Sequence, residues 1–126
     1  MGLACCPPLY ESRSEALRAA KRDAGIPMGQ HPDNITSVRM TDINGRNILG
    51  ADNQPIYTRE YRYTRTDGSK IVFQEHSAGH SYGPPGTPGN QGPHFNPRPM
   101  DPVTGNASRN GSVDGMLKHY EFPGGY

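Results

Sequence analysis

Residues 56–76 read IYTREYRYTRTDGSKIVFQEH: two runs of aromatic and β-branched residues joined by Asp67-Gly68, a pair suited to the left-handed backbone of a tight hairpin. Side chains alternate along a strand, so Tyr57, Tyr61 and Tyr63 share one side with Arg59 and Arg65. On the return strand Ile71, Phe73 and Glu75 point one way, while Val72, Gln74 and His76 point the other. Glu75 and His76 are therefore expected on opposite faces. This hairpin is the expected core of the domain.

Upstream, Ser12 with Glu15 three residues later forms a capping box, and Ala16, Leu17, Ala20 and Ala24 fall on one face before Gly25 ends the helix. The opposite face carries Arg13, Arg18, Lys21 and Arg22, read as solvent-exposed charge in preference to a phosphate-facing strip. After a Pro/Gly connector, Thr36–Ile43 alternates as a strand, and Asn44-Gly45 turns it into Arg46–Leu49 as another hairpin. Residues 1–11, with Pro7-Pro8, read as a flexible lead-in, and 12–126 as one domain. Cys5 and Cys6 are adjacent and have no further cysteine to complete a framework, so they are read as reduced and incidental.

Downstream, residues 77–111 have Gly or Pro at nearly every second or third position, which excludes a regular helix and reads as one long functional loop. Apolar residues return from Val113 onward, with a closing strand expected at His119–Phe122. The fold class is thus α+β: one N-terminal helix, a small antiparallel sheet of two hairpins, and a Gly/Pro-rich loop folding over one end.

Composition sets the outer bounds. A chain of 126 residues with 16 Gly, 13 Pro and no Trp holds one modest core and many turns. Its seven Tyr and three Phe include a central cluster that argues against disorder. The formal net charge of +1 selects no partner, so a nucleic-acid surface would have to be local. No apolar run approaches a membrane span and no signal peptide is evident, so the expectation is a soluble chain without a membrane partner.

The chemistry-bearing pattern is Glu75-His76-x-x-x-His80, followed by Pro93-His94-Phe95-Asn96. Imidazoles titrate near neutrality, so several with a carboxylate can divide the base, acid and charge-stabilising tasks of phosphodiester cleavage. They can equally hold a divalent metal, Mg or Zn, that polarises a phosphoryl oxygen. Arg59, Arg62 and Arg65 with Tyr61 and Tyr63, joined by Lys70 and Arg98, could grip phosphates and stack bases. Glu60 reads as a partner of Lys70 or Arg62. His31 and His119 read as structural, although the last strand could return His119 to the site, and Asn96 could orient a histidine or a water.

The segments YTREYRYTRTDGSKIVFQEHSAGHSYG (57–83), NQGPHFNPRP (90–99) and KHYEF (118–122) resemble the C-terminal toxin tips of Rhs and related polymorphic toxins. ALRAAKRDAGIP (16–27) is similar to the entry that follows an Rhs core. The resemblance runs over roughly residues 14–122 and is closest to HNH/endonuclease VII superfamily toxins with a Glu-His-His-His signature, which would fall on Glu75, His76, His80 and His94. It implies that these four act as catalytic residues and hold a divalent metal that activates water to cleave DNA. It also implies interbacterial antagonism by a secreted, type VI-like effector acting in the target-cell cytoplasm, an N-terminal Rhs shell and a cognate immunity protein. An HNH site normally places a ligand on a helix after the hairpin, whereas Gly and Pro follow His76 here. The alternative is therefore a metal-independent RNase of the barnase, EndoU, colicin or RelE type, using histidines on RNA through its 2′-hydroxyl. A non-enzymatic interaction tip and a toxin attacking a nucleotide cofactor are the remaining readings.

Overall fold

The computed structural model describes residues 9–41, 44–76, 80–81, 90–91, 93–108 and 111–123, with the backbone alone at 80, 81, 90 and 91. One helix, α1 (Arg13–Ala24), packs on a sheet assembled from β1 (Asn34–Arg39), β2 (Tyr57–Thr64), β3 (Lys70–His76), β6 (His94–Pro99) and β7 (Tyr120–Glu121). The sheet order is β1-β2-β3-β6-β7, antiparallel throughout, and β4 (His80–Ser81) pairs separately with β5 (Asn90–Gln91).

The helix begins where its cap dictates. The Ser12 hydroxyl accepts the Glu15 N–H at 3.1 Å, satisfying one of the donors that a helix start leaves open. It ends at Gly25, whose φ of +74° is the left-handed conformation that costs glycine least. Ala16, Ala19, Ala20 and Ala24 are buried, and these short side chains let the helix settle close to β6 and β7. Beneath it lie Tyr61, Tyr63, Ile71, Phe73, Phe95, Tyr120 and Phe122, the core of the molecule.

The β2–β3 ladder runs from Arg59↔Glu75 to Thr64↔Lys70, and Gly68 supplies the positive φ of its turn. The segment after Asn34 differs from expectation. β1 stops at Arg39 and pairs with β2, not with 46–49. The described residues between β1 and β2 are instead tied by single bonds, Ile48 N–H to the Met40 carbonyl and Ile56 N–H to that of Ile48, while the expected strand end at residues 42–43 lies outside the described residues. Gly45 does adopt a positive φ, but the turn leads into the isolated bridge Thr41↔Asn47. The better cross-strand partner for β1 is the aromatic strand β2, which lies against the core.

The largest departure is β6. HFNPRP reads as loop, yet it pairs with β3 along its whole length, from Ile71↔Pro99 to His76↔His94. The prolines are tolerated because of where their missing N–H would point. Ladder bonds to one neighbour use alternate residues, and Pro97 and Pro99 share a parity whose backbone faces away from β3. On that outer side β7 reaches only His94 and Phe95. The Pro99 carbonyl there accepts the Ser108 N–H at 2.9 Å, so the prolines remove no bond that the sheet needs.

The lead-in also meets the sheet: Leu9 bridges Glu121 in parallel, and the Tyr10 N–H donates to the Glu121 carbonyl at 2.9 Å. Cys5 and Cys6 lie outside the described residues. No described helix is long and apolar enough to cross a membrane.

Candidate active site

Sheet parity divides the signature residues. Glu75 opposes Phe95, and both face α1. There the Arg13 guanidinium grips it with two bonds, Nε to Oε2 at 2.7 Å and Nη2 to Oε1 at 2.6 Å. The Tyr61 hydroxyl donates to Oε1 at 2.5 Å, and Arg13 Nη2 also reaches the Tyr61 oxygen at 2.8 Å. This bidentate geometry is the strong form of an Arg–carboxylate contact. Burial, then the bond to Glu75, raises the Tyr61 hydroxyl above the ordinary phenol range, while the bond to Glu75 raises the Arg13 guanidinium further.

His76 lies on the other face, directly across from His94. Their ring centroids are 5.1 Å apart, edge to face. His94 in turn meets His119 at 4.8 Å, again edge to face. Strand pairing thus produces a row His76–His94–His119, in which His94 is fully buried and His119 half-buried. Asn96, two residues along β6, holds the Nδ1 edge of His76 with its amide at 3.2 Å. The Asn96 oxygen has no hydrogen-bond partner among the described residues.

Of the four signature positions, the structure brings His76 and His94 together and seats Glu75 on the opposite face of the sheet. The His80 backbone pairs with Gln91 in β4–β5, and its side chain lies outside the described residues. His119, which the sequence reads as structural with a possible return through the last strand, joins the row. Only the register of β7 on β6 (Phe95↔Tyr120, His94↔Glu121) reveals it, because Tyr120 turns into the core and sends its neighbours to the histidine side.

The expected nucleic-acid residues disperse. Tyr61 and Tyr63 are core side chains and cannot stack on a base. Arg62 is buried and spends its donors on Glu60 (3.2 Å), Thr36 (2.6 Å), the Gly105 carbonyl (3.0 Å) and Asn106 (3.0 Å), pinning turn 101–108 onto the sheet. Glu60 is also bonded by Gln74 at 2.9 Å. Arg59 is exposed on the helix side. Arg65 bonds Ser69 at 2.8 Å, Lys70 bonds Thr64 at 2.7 Å, and Arg98 bonds the Gly111 carbonyl at 3.0 Å. Arg65 and Lys70 line a cleft with Ser112 and Asp114. Lys70 shares the face of His76 but lies six residues along β3, about 20 Å at strand rise. The helix charges are also partly spent: Arg13 on Glu75, and buried Lys21 on the Met28 and Gln30 carbonyls at 2.8 Å each.

Imidazoles suit a divalent ion in kind. Two rings bound to one tetrahedral ion through nitrogen at about 2.1 Å would place their centroids about 5 Å apart, close to the separation of His76 and His94. Among the described residues no three His, Cys, Asp or Glu are grouped so as to hold a metal. His76 and His94 are thus the described residues that would hold such an ion, through neutral imidazole nitrogens.

A sequence model of HNH/Endo VII superfamily nuclease toxins, the Tox-HNH-EHHH family, matches residues 47–122, more than half of the chain and the entire span from β2 to β7. No curated protein and no solved structure matches the chain.

Proposed function

Because the chain belongs to the HNH/Endo VII superfamily of nuclease toxins, we propose that it is the toxin tip of a secreted Rhs-type effector, an endonuclease that cuts DNA in the cytoplasm of a target cell with the help of a divalent metal. The observation that carries this reading is the row of three imidazoles, with centroids 5.1 and 4.8 Å apart, on one face of the sheet. His76 and His94 would hold the ion, whose contribution is to polarise the phosphoryl oxygen and lower the pKa of water. Asn96 fixes the orientation of His76. His119, the more exposed end of the row, handles the proton at the leaving oxygen. Lys70 and Arg98, on the same face, attract the phosphate backbone along β3 and β6. Glu75 serves the site indirectly, by locking α1 to the strand that carries His76. A producer of such an enzyme requires an immunity protein, and the N-terminal Rhs shell would carry the toxin before release.

One feature also favours RNA as substrate. Imidazoles in mutual contact, one of them clamped by an amide, form a ready acid–base set. One takes the proton from the 2′-hydroxyl as it attacks phosphorus, and another protonates the departing 5′ oxygen. The purified chain should be incubated with plasmid DNA and with total tRNA, each with magnesium, zinc or EDTA. DNA cutting abolished by EDTA supports the metal-dependent reading. RNA cutting that survives EDTA moves the assignment to acid–base cleavage, and cutting of neither refutes the nuclease proposal.

A further inference from the structure

Two buried side-chain oxygens on the histidine face have no hydrogen-bond partner among the described residues, the Thr58 hydroxyl and the Asn96 carbonyl oxygen. On the helix face the hydroxyls of Tyr61 and Tyr120 are bonded, to Glu75 and to Asp23. The amide nitrogen of Asn96 is engaged by His76, whereas the Thr58 side chain has no other polar atom to use. Its place follows from the ladder. β2 and β3 run in register from Arg59↔Glu75 to Thr64↔Lys70, and one step further along the same strands sets Thr58 across from His76. Thr58 has the parity of Glu60, which Gln74 bonds at 2.9 Å on the face that His76 shares. Directly paired residues place their Cβ atoms about 4.5–5.5 Å apart, so Thr58 extends the line His94–His76 by one strand. Its partner across β1 is Val38, an aliphatic side chain that offers no hydrogen bond.

A threonine here works against the fold. Its buried hydroxyl gives up water without a replacement, and valine would fill the same space and suit a strand as well. Thr58 is 5% exposed and His76 8%, so a phosphate that reaches the ring reaches the hydroxyl beside it. Non-bridging phosphate oxygens only accept hydrogen bonds and the threonine hydroxyl can donate one. A bond to an ionised acceptor is the strong kind.

We infer that Thr58 is a substrate contact, whose hydroxyl donates to a non-bridging oxygen of a nucleic-acid phosphate at the β2 end of the histidine row. The inference rests on the nuclease reading above and adds to it a residue outside the Glu-His-His-His signature. Two strand spacings, about 10 Å, separate Thr58 from His94. The contact therefore holds the strand beside the bond that is cut, and acts on binding more than on the chemical step.

The test compares the full chain with its Thr58→Val and Thr58→Ser variants, by thermal melting and by cleavage of plasmid DNA and tRNA. Thr58→Val should melt at the parent's Tm or a few degrees above it, because an unbonded buried hydroxyl is gone. Its KM for whichever substrate the parent cuts should rise about 10- to 100-fold, the worth of a hydrogen bond to a charged group, with kcat close to the parent's. Thr58→Ser, which keeps the hydroxyl, should keep the parent's KM. Unchanged KM in Thr58→Val overturns the inference. So does a Tm several degrees below the parent's, which would show that the hydroxyl is bonded within the fold. If the parent cuts neither substrate, the nuclease reading falls, and fluorescence anisotropy with labelled DNA and RNA oligonucleotides decides the contact. Weaker binding by Thr58→Val then upholds it, and equal binding, or none by the parent, overturns it.

Discussion

Replacing Glu75 by Ala should destabilise the protein far more than a surface substitution. The change removes the acceptor of three short bonds, two from Arg13 and one from Tyr61, and leaves a phenol and a partly buried guanidinium to be resatisfied. Hydrogen bonds to charged groups contribute about 1.5–3 kcal/mol each, and breaking a buried pair costs about 3–5 kcal/mol. The Arg13 side chain keeps 32% of its exposure, so water recovers part of the loss and the expected cost is about 3 kcal/mol. For a chain of this size that corresponds to a fall in Tm of roughly 10–15 °C. Glu75→Gln, which keeps the shape and one acceptor, should cost about 2 kcal/mol. The chain has no Trp, so urea unfolding would be followed by tyrosine fluorescence and far-UV circular dichroism. Arg13→Ala should reproduce most of the loss, and the double variant should be far less than additive. A Glu75→Ala midpoint within about 0.5 kcal/mol of the parent would refute the helix–sheet lock.

Further outcomes follow from other contacts. Glu121 has its carboxyl raised by burial, so between the unfolded and folded pKa the folded state binds more protons, and stability falls as pH rises through that window. Glu121→Gln should therefore raise the urea midpoint at neutral pH and lose this advantage in acid below the unfolded pKa. An effect of the opposite sign would contradict the desolvation argument. Arg62→Ala should cost about 3 kcal/mol and release turn 101–108, read as faster amide exchange at Gly105 and Asn106. Gly25→Ala meets no atom within 4 Å, so its cost should be purely conformational, about 1 kcal/mol for φ of +74°, measured by thermal melting. Tyr120→Phe removes a donor to Asp23 and an acceptor for the Leu117 N–H and should lower stability by about 1–2 kcal/mol.

The helix and the β2–β3 hairpin were legible because their signals are local: a capping serine, a terminal glycine, a period of two and an Asp-Gly turn. The opposed directions of Glu75 and His76 follow from that same period. What the sequence hid depends on long-range register. Pro97 and Pro99 disguise β6 as loop, since nothing local says that their nitrogens face an edge with no ladder. Asn44-Gly45 is a sound turn signal, but β1 gains more from pairing with the core strand β2. Arg13 and Glu75 meet across 62 positions, so one read as surface charge and the other as a ligand. Tyr61 and Tyr63 look like a stacking surface until the helix covers them. His119 joins the site only through the two-residue strand β7, too short to announce itself.

In the proposed nuclease the chemistry belongs to the histidine face and not to the Glu75 side. The most direct measurement is cleavage by His76→Asn, His119→Gln and Glu75→Gln variants beside the parent, each checked for folding and assayed below its melting range. Both histidine variants should remain folded and lose at least about 100-fold in rate, while Glu75→Gln, though less stable, keeps most of its activity. Full activity in folded His76→Asn and His119→Gln, with loss confined to Glu75→Gln, would contradict it.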